Sequence, residues 1–341
     1  MSAKMKLAVF GSMNEATITA VYGSLVANQA VDLITASLEP GTLDLDFPAK
    51  GRALVNVKAF GEETDADTFL IMALRGDTYK IVADHKSLFS GKHLVLAPGG
   101  VGITERIAEG FDSEGLARPH LAQVPGFPAI GQVEGRQVIL RGVKQNLPIG
   151  ALDGAHIAEL HRIYSGFFPG LVPTNVVSAS LSNTNNVLHP SISLLNASRI
   201  ENKEKFVFYR TPFTEGAGRL IDALDLDRLS VARALGAETK PLYDILMGFY
   251  AHEGMTGATS RECLMTWPML ESSAGPTSFE HRYFVEDVGA GLAPMEALGE
   301  MLGITTPAIS SVVSAISTIM GEDMRREAKE HAEAVLRLRS R

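Results

Sequence analysis

The first part of the chain is punctuated by five short, nearly unbroken apolar runs, at residues 6–10, 31–34, 53–57, 68–73 and 93–97. A strand with one wet face alternates polar and apolar residues, so runs this uniform belong to strands covered on both faces. Between the first two runs, Ile18, Val21, Leu25 and Val26 recur at helical spacing within residues 14–30. Buried strands alternating with helices predict an α/β domain built on a doubly wound parallel sheet, over residues 1–148. Pro119, Pro125 and Pro128, followed by strand-like runs at 130–133 and 137–140, predict a closing β element.

After residues 148–150 strand signals stop and helical patterns take over, at 153–164, 213–224, 230–235 and 307–320. An all-α domain over residues 151–341 is therefore expected, with a cleft between it and the first. The length of 341 residues agrees with two domains, at about 150 residues each.

Charge and composition narrow the partners. Thirty-one Lys and Arg against 39 Asp and Glu give a formal net charge of −8, so no nucleic-acid partner is expected. The basic residues of the tail, from Arg325 to Arg341, are interleaved with Glu322, Asp323, Glu327, Glu330 and Glu333, the pattern of a solvated helix face. The uncharged stretch 301–321 is too rich in Ser and Thr for a membrane span, and Pro307 interrupts it. Its residues Ile309, Val312, Val313, Ile316 and Ile319 form one stripe that packs on a core or on a second copy, which makes a homodimer an expectation. Lys4 and Lys6 precede an apolar run too short for a signal peptide, and the lone Cys263 has no internal disulfide partner. A cytoplasmic protein is expected.

A strand that ends in glycine and opens a helix is where a Rossmann domain holds a pyrophosphate. The expected G-x-G-x-x-G/A reads here Gly11-Ser12-Met13-Asn14-Glu15-Ala16. Gly11 and Ala16 fit, whereas Met13 stands where glycine normally lets the backbone approach the phosphates. The second strand ends in Thr35-Ala36-Ser37, with neither the acid that binds a ribose 2′-hydroxyl nor the base that binds a 2′-phosphate. Gly11, Ser12, Met13, Asn14 and Thr35 are the candidate cofactor residues, with NAD against NADP undecided.

The helical half carries two polar runs. One is Leu181-Ser182-Asn183-Thr184-Asn185-Asn186-Val187-Leu188-His189-Pro190, in which a helix places Asn185 and His189 on one face. The other is His281-Arg282-Tyr283-Phe284-Val285-Glu286-Asp287, whose last residue lies 98 positions after His189. Together the runs resemble the octopine/nopaline (opine) dehydrogenase family, with its L-x-N-x-N-x-x-x-H-P and H-R-Y-x-x-E-D segments. Gly291-Leu292-Ala293-Pro294 and Leu302-Gly303-Ile304-Thr305-Thr306-Pro307 extend the likeness over most of residues 175–320.

That resemblance implies a Rossmann domain followed by a helical domain like that of 6-phosphogluconate dehydrogenase, with the active site in the interdomain cleft. It implies an NAD(P)H-dependent oxidoreductase that reductively condenses an amino acid with a 2-oxo acid. It makes His189 and Asp287 the catalytic pair, with Asn185 and Arg282 binding substrate. It also adds Ala73, after the fourth expected strand, and Gly99, in a loop near the nicotinamide, to the cofactor residues. The residue types suit the chemistry. Histidine titrates near neutrality, a paired aspartate fixes its tautomer, and arginine grips a carboxylate at two points.

Other chemistries lack their residues. There is no G-x-S-x-G elbow, and Gly91-Lys92 is followed by His93 rather than by the Ser or Thr of a P-loop. His252-Glu253 lacks a second histidine, and His156 and His161 are five apart, so no metal site is expected. Two rival readings remain. One is a nonredox enzyme that kept the His–Asp pair and lost the nucleotide, using elimination, isomerisation, condensation or hydrolysis on a carboxylated substrate. The other is a noncatalytic sensor or scaffold that binds a small carboxylate or a partner subunit.

Overall fold

In this computed structural model residues 5–47, 49–134 and 137–339 are described; Lys4 and Arg341 lie outside them. Strands β1 (Leu7–Phe10), β2 (Val31–Ile34), β3 (Gly41–Phe47), β4 (Gly51–Lys58), β5 (Thr68–Ile71), β6 (His93–Leu96) and β7 (His120–Gln123) belong to one sheet. β8 (Ala129–Glu134) and β9 (Gln137–Val143) form a separate antiparallel pair. β10 (Leu147–Ala151) and β11 (Leu171–Asn175) complete the nine-stranded sheet, in the order β11-β10-β7-β6-β5-β1-β2-β4-β3. β1 is parallel to both β2 and β5, and all four of its side chains are buried. Full burial of each is worth roughly 1.5–3 kcal/mol for the larger apolar side chains. The five expected apolar runs correspond to β1, β2, β4, β5 and β6.

The chain divides into two compact units. The first runs to Gly99 and includes Ile107–Ala179; the second joins Gly100–Arg106 to Ser180–Arg341. In the first unit α1 (Asn14–Ala27) stops three residues before the expected end, because Asn28 turns left-handed at φ 48°. α2 (Arg75–Asp84) and α3 (Lys86–Phe89) follow β5, and α4 (Ile103–Ser113) follows β6.

The sequence places a domain boundary near residue 150; the first compact unit includes residues up to Ala179. Pro148 and Gly150 lie within β10, which pairs antiparallel with β7 through Gly150 and Ala151, and parallel with β11 along its length. α5 (Ile157–Ser165) joins the same unit, its Tyr164 hydroxyl donating to the Phe69 carbonyl. Pro173 is tolerated because β11 is an edge strand, where a missing N–H leaves no ladder bond unmade.

The second unit is helical: α6 (Val176–Ser180) leads into it, then α7 (Asn185–Leu194), α8 (Ala197–Glu201), α9 (Glu215–Ala234), α10 (Leu242–Tyr250) and α11 (Ser260–Thr266). α12 (Arg282–Val285), α13 (Ala293–Met301), α14 (Pro307–Met320) and α15 (Ala328–Arg339) complete it. The two patterns expected at 213–224 and 230–235 are one helix, α9, capped by the Thr214 hydroxyl. Its apolar pattern breaks at Asp225 and Arg228, which are nevertheless buried as an ion pair at 2.6 Å. Ile309, Val312, Val313 and Ile316 of α14 are buried, with α7, α9 and α13 packed beside that helix, whereas Ile319 at the end of the stripe is 43% exposed. No helix among the described residues is long and apolar enough to cross a membrane.

Candidate active site

His189 lies in the middle of α7. The Asn183 side chain accepts from the Asn185 N–H at 3.1 Å and sets the start of that helix. Asp287 opens a buried π-helical turn, Asp287–Leu292, immediately after α12. Such turns re-aim side chains at functional sites. Gly291 lets this one lie against α7, since a Cβ there would come within 2.3 Å of Asn186 Cγ.

The outcome is a pair: Nδ1 of His189 and Oδ2 of Asp287 are 2.7 Å apart, and the two residues are 3% and 2% exposed. The other ring nitrogen is 3.0 Å from the Tyr209 hydroxyl. Burial pushes the Tyr209 phenol well above its usual range, so it keeps its proton. The consistent tautomer has Tyr209 donating to Nε2 and the Nδ1–H donating to the Asp287 carboxylate. Tyr283 stacks on the imidazole, ring centroids 3.7 Å apart and planes at 22°, while Phe208 meets it edge-on at 5.8 Å.

Around this pair sit the other expected residues. Asn185 is half-buried at the first position of α7, one turn before His189. Arg282 is half-buried, its guanidinium carbon 5.5 Å from the Tyr283 ring centroid, a cation–π distance. His281 caps α12 by accepting the Tyr283 N–H, and its pKa is lowered to about 4, first by burial and then by Arg282 and His189. The arrangement can hold and release one proton at Nε2 and stabilise the imidazolium that results. Sequence reasoning missed Tyr209, Phe208, Tyr283 and His281 as parts of the site. The second run contains His281 and Tyr283, but Tyr209 sits in Phe206-Val207-Phe208-Tyr209, which reads only as core.

The nucleotide candidates lie in the first unit. The chain proceeds from β1 to β2 on one side and returns to β5 on the other, so the crevice beyond the carboxyl ends of β1 and β5 is the topological switch point. A cavity of 460 Å³ opens there, lined by Ser12, Met13, Phe60, Ala73, Ile81 and His85 among others. Gly11 is required, because at φ +151° a Cβ would lie 2.1 Å from the Met72 carbonyl oxygen. The Ser12 hydroxyl accepts from the Ala36 N–H at 3.2 Å, and the Thr35 and Ser37 hydroxyls are 2.8 Å apart. Asn14 is the first residue of α1. Met13 precedes it without a side-chain cap, which leaves first-turn amides for an anion.

An uncapped helix start beside a cavity of this size fits part of a dinucleotide, whose pockets run to about 300–1,000 Å³. Met13 is half-buried and narrows the approach. Gly99 does not line the cavity. Its N–H donates to the Val124 carbonyl, and a Cβ would strike the Gln123 side chain, so its role visible here is backbone packing.

The chain is similar to several known proteins. Residues 172–320 match the family described as NAD/NADP octopine/nopaline dehydrogenase, alpha-helical domain. The opine dehydrogenase of Arthrobacter sp. is 29% identical over 269 residues, 78% of this chain and 74% of that one. The vitopine synthase of Allorhizobium ampelinum is 28% identical over 194 residues, 56% of this chain and about half of its own, 52%. Among solved structures, yersinopine dehydrogenase with NADP+ bound superposes with a TM-score of 0.72 at 13% identity, covering all of both chains. Octopine dehydrogenase with NADH and L-arginine gives 0.70 at 15% identity, over 93% of this chain and 90% of that one. At these identities the structural likeness establishes the fold.

Proposed function

We propose that the chain, whose residues 172–320 match the alpha-helical domain of the octopine/nopaline dehydrogenases, belongs with that family and reductively condenses an amino acid with a 2-oxo acid, using NADH or NADPH. The observation that carries the reading is the buried His189–Asp287 contact at 2.7 Å. The relatives supply the substrate class: solved octopine dehydrogenases are described with L-arginine, agmatine and pyruvate.

In this reading Gly11, Ser12, Met13, Asn14, Thr35 and Ala73 hold the nicotinamide dinucleotide, which supplies the hydride when bound. The uncapped amides at the start of α1 would be available to its phosphates. His189 gives a proton from Nε2 to the departing carbinol oxygen as amine and ketone condense, and takes one back in the reverse direction. Asp287 keeps Nδ1 protonated and offsets the charge on the ring. Arg282 grips a substrate carboxylate, and Asn185 donates and accepts at a second polar group. The rival nonredox reading draws on Met13, which lines the cavity where a glycine is usual.

Fluorescence titration with NADH and NADPH tests the proposal, followed by nucleotide oxidation assays with pairs of amino acid and 2-oxo acid. Saturable binding with substrate-dependent oxidation is the expected result. Turnover of a carboxylated substrate without any nucleotide would establish the rival instead.

A further inference from the structure

Three side chains of the first unit converge at the amino ends of the strands. His93 begins β6 and His120 begins β7, and the two are register partners in the parallel pair. Glu159 projects from the first turn of α5. Nε2 of His93 is 3.6 Å from one Glu159 carboxylate oxygen, and Nδ1 of His120 is 3.9 Å from the other. One donor atom from each residue falls within 4.8 Å of the other two.

The two imidazole nitrogens are the telling feature. Each is buried, and neither makes a hydrogen bond among the described residues. A buried ring nitrogen left unsatisfied costs about 1–3 kcal/mol, and here two of them face one carboxylate. His156 stacks on the His120 ring at 3.8 Å and fixes its plane. Two imidazoles and one carboxylate, with an open side toward solvent at the half-exposed Glu159, are the donor set of a zinc-class ion completed by water.

We propose that His93, His120 and Glu159 bind one divalent transition-metal ion of the zinc class, tying α5 to the amino ends of β6 and β7. Bonds of about 2.0–2.1 Å put tetrahedral donors about 3.3 Å apart, so donors now within 4.8 Å of one another close by at most about 1.5 Å when the ion binds. The nucleotide cavity lies at the carboxyl ends of β1 and β5, the opposite edge of the same sheet. Metal occupancy therefore leaves nucleotide affinity unchanged.

The experiment is calorimetric titration of chelator-stripped protein with Zn²⁺ alone, with melting temperature as a second readout. Wild type is expected to take up one equivalent saturably at micromolar or lower concentration and to melt higher when loaded. Glu159→Gln, a change at a half-exposed position, is expected to weaken binding at least about tenfold, and His93→Ala combined with His120→Ala to abolish it. A His189→Asn variant is expected to bind like wild type. Absence of saturable uptake by wild type overturns the proposal. So does uptake undiminished in Glu159→Gln or lost in His189→Asn, since the ion would then sit elsewhere.

Discussion

Tyr209 holds its hydroxyl 3.0 Å from Nε2 of His189, the ring nitrogen that Asp287 leaves open. Any proton that His189 exchanges at that atom passes a group already seated there. A phenol that donates to Nε2 favours the neutral ring. Tyr209→Phe is therefore expected to lower kcat about tenfold and to move the alkaline limb of the kcat profile for condensation to higher pH. A variant with the wild-type profile and rate would make Tyr209 a packing residue only.

His189 and Asp287 are expected to act as one unit. His189→Ala and Asp287→Asn should each lower kcat by about 10²–10⁴, and the double variant should be scarcely worse than either single one. Fluorescence titration should find NADH and NADPH affinity retained in all three. Additive losses would mean that the two side chains contribute independently.

At the start of α1 two substitutions pull in opposite directions. Gly11→Ala drives a methyl group toward the Met72 carbonyl, 2.1 Å from its oxygen. It should lower the melting temperature and nucleotide affinity together. Met13→Gly clears the cavity wall and restores the usual fingerprint, so nucleotide affinity should hold or rise. Weaker nucleotide binding by Met13→Gly would show that the methionine contacts the cofactor favourably.

The legible parts of the molecule were those where burial is uniform. β1, β2, β5 and β6 are apolar on both faces, and α14 carries a single stripe, so sequence periodicity located each closely. β3 was missed because it is an edge strand with Asp44 and Asp46 facing outward. β10 and β11 were hidden by Pro148 and Pro173, which read as breakers; the edge position of β11 explains Pro173, whereas Pro148 sits in β10, paired on both sides. In the site, His189 and Asp287 stood out as a histidine and an acid in recurring runs. Tyr209 did not, because a buried tyrosine among phenylalanines looks like core until its hydroxyl is seen against an imidazole. The His93–His120–Glu159 cluster was invisible for a related reason: strand pairing and helix docking, not spacing, bring its members together.

Arg228 is the clamp on the segment that leads to α7. It is 1% exposed, pairs with Asp225, and donates to the carbonyls of Leu181 and Lys240, each at 2.6 Å. Asp225 in turn accepts the Leu242 N–H at 2.9 Å. Arg228→Leu strands a buried carboxylate and should destabilise the chain by about 3–5 kcal/mol in denaturant titration. Adding Asp225→Leu removes the stranded charge and should recover part of that loss. A single variant within experimental error of wild type would contradict the clamp.

His281 should give the fold a measurable acid sensitivity. Its pKa in the folded chain is lowered from 6.5 to about 4, first by burial, then by Arg282 and His189. The unfolded chain takes up the proton at the higher pH, so the contribution is complete above 6.5 and is lost as pH falls through the window toward 4. His281→Gln removes this titration and keeps a polar side chain. Melting temperature, followed from about pH 7 to about pH 5, should therefore fall more steeply for wild type than for the variant. Carboxylates that titrate at lower pH are common to both proteins and cancel in the comparison. Parallel curves would mean that the His281 ring protonates as readily in the folded chain as in the unfolded one.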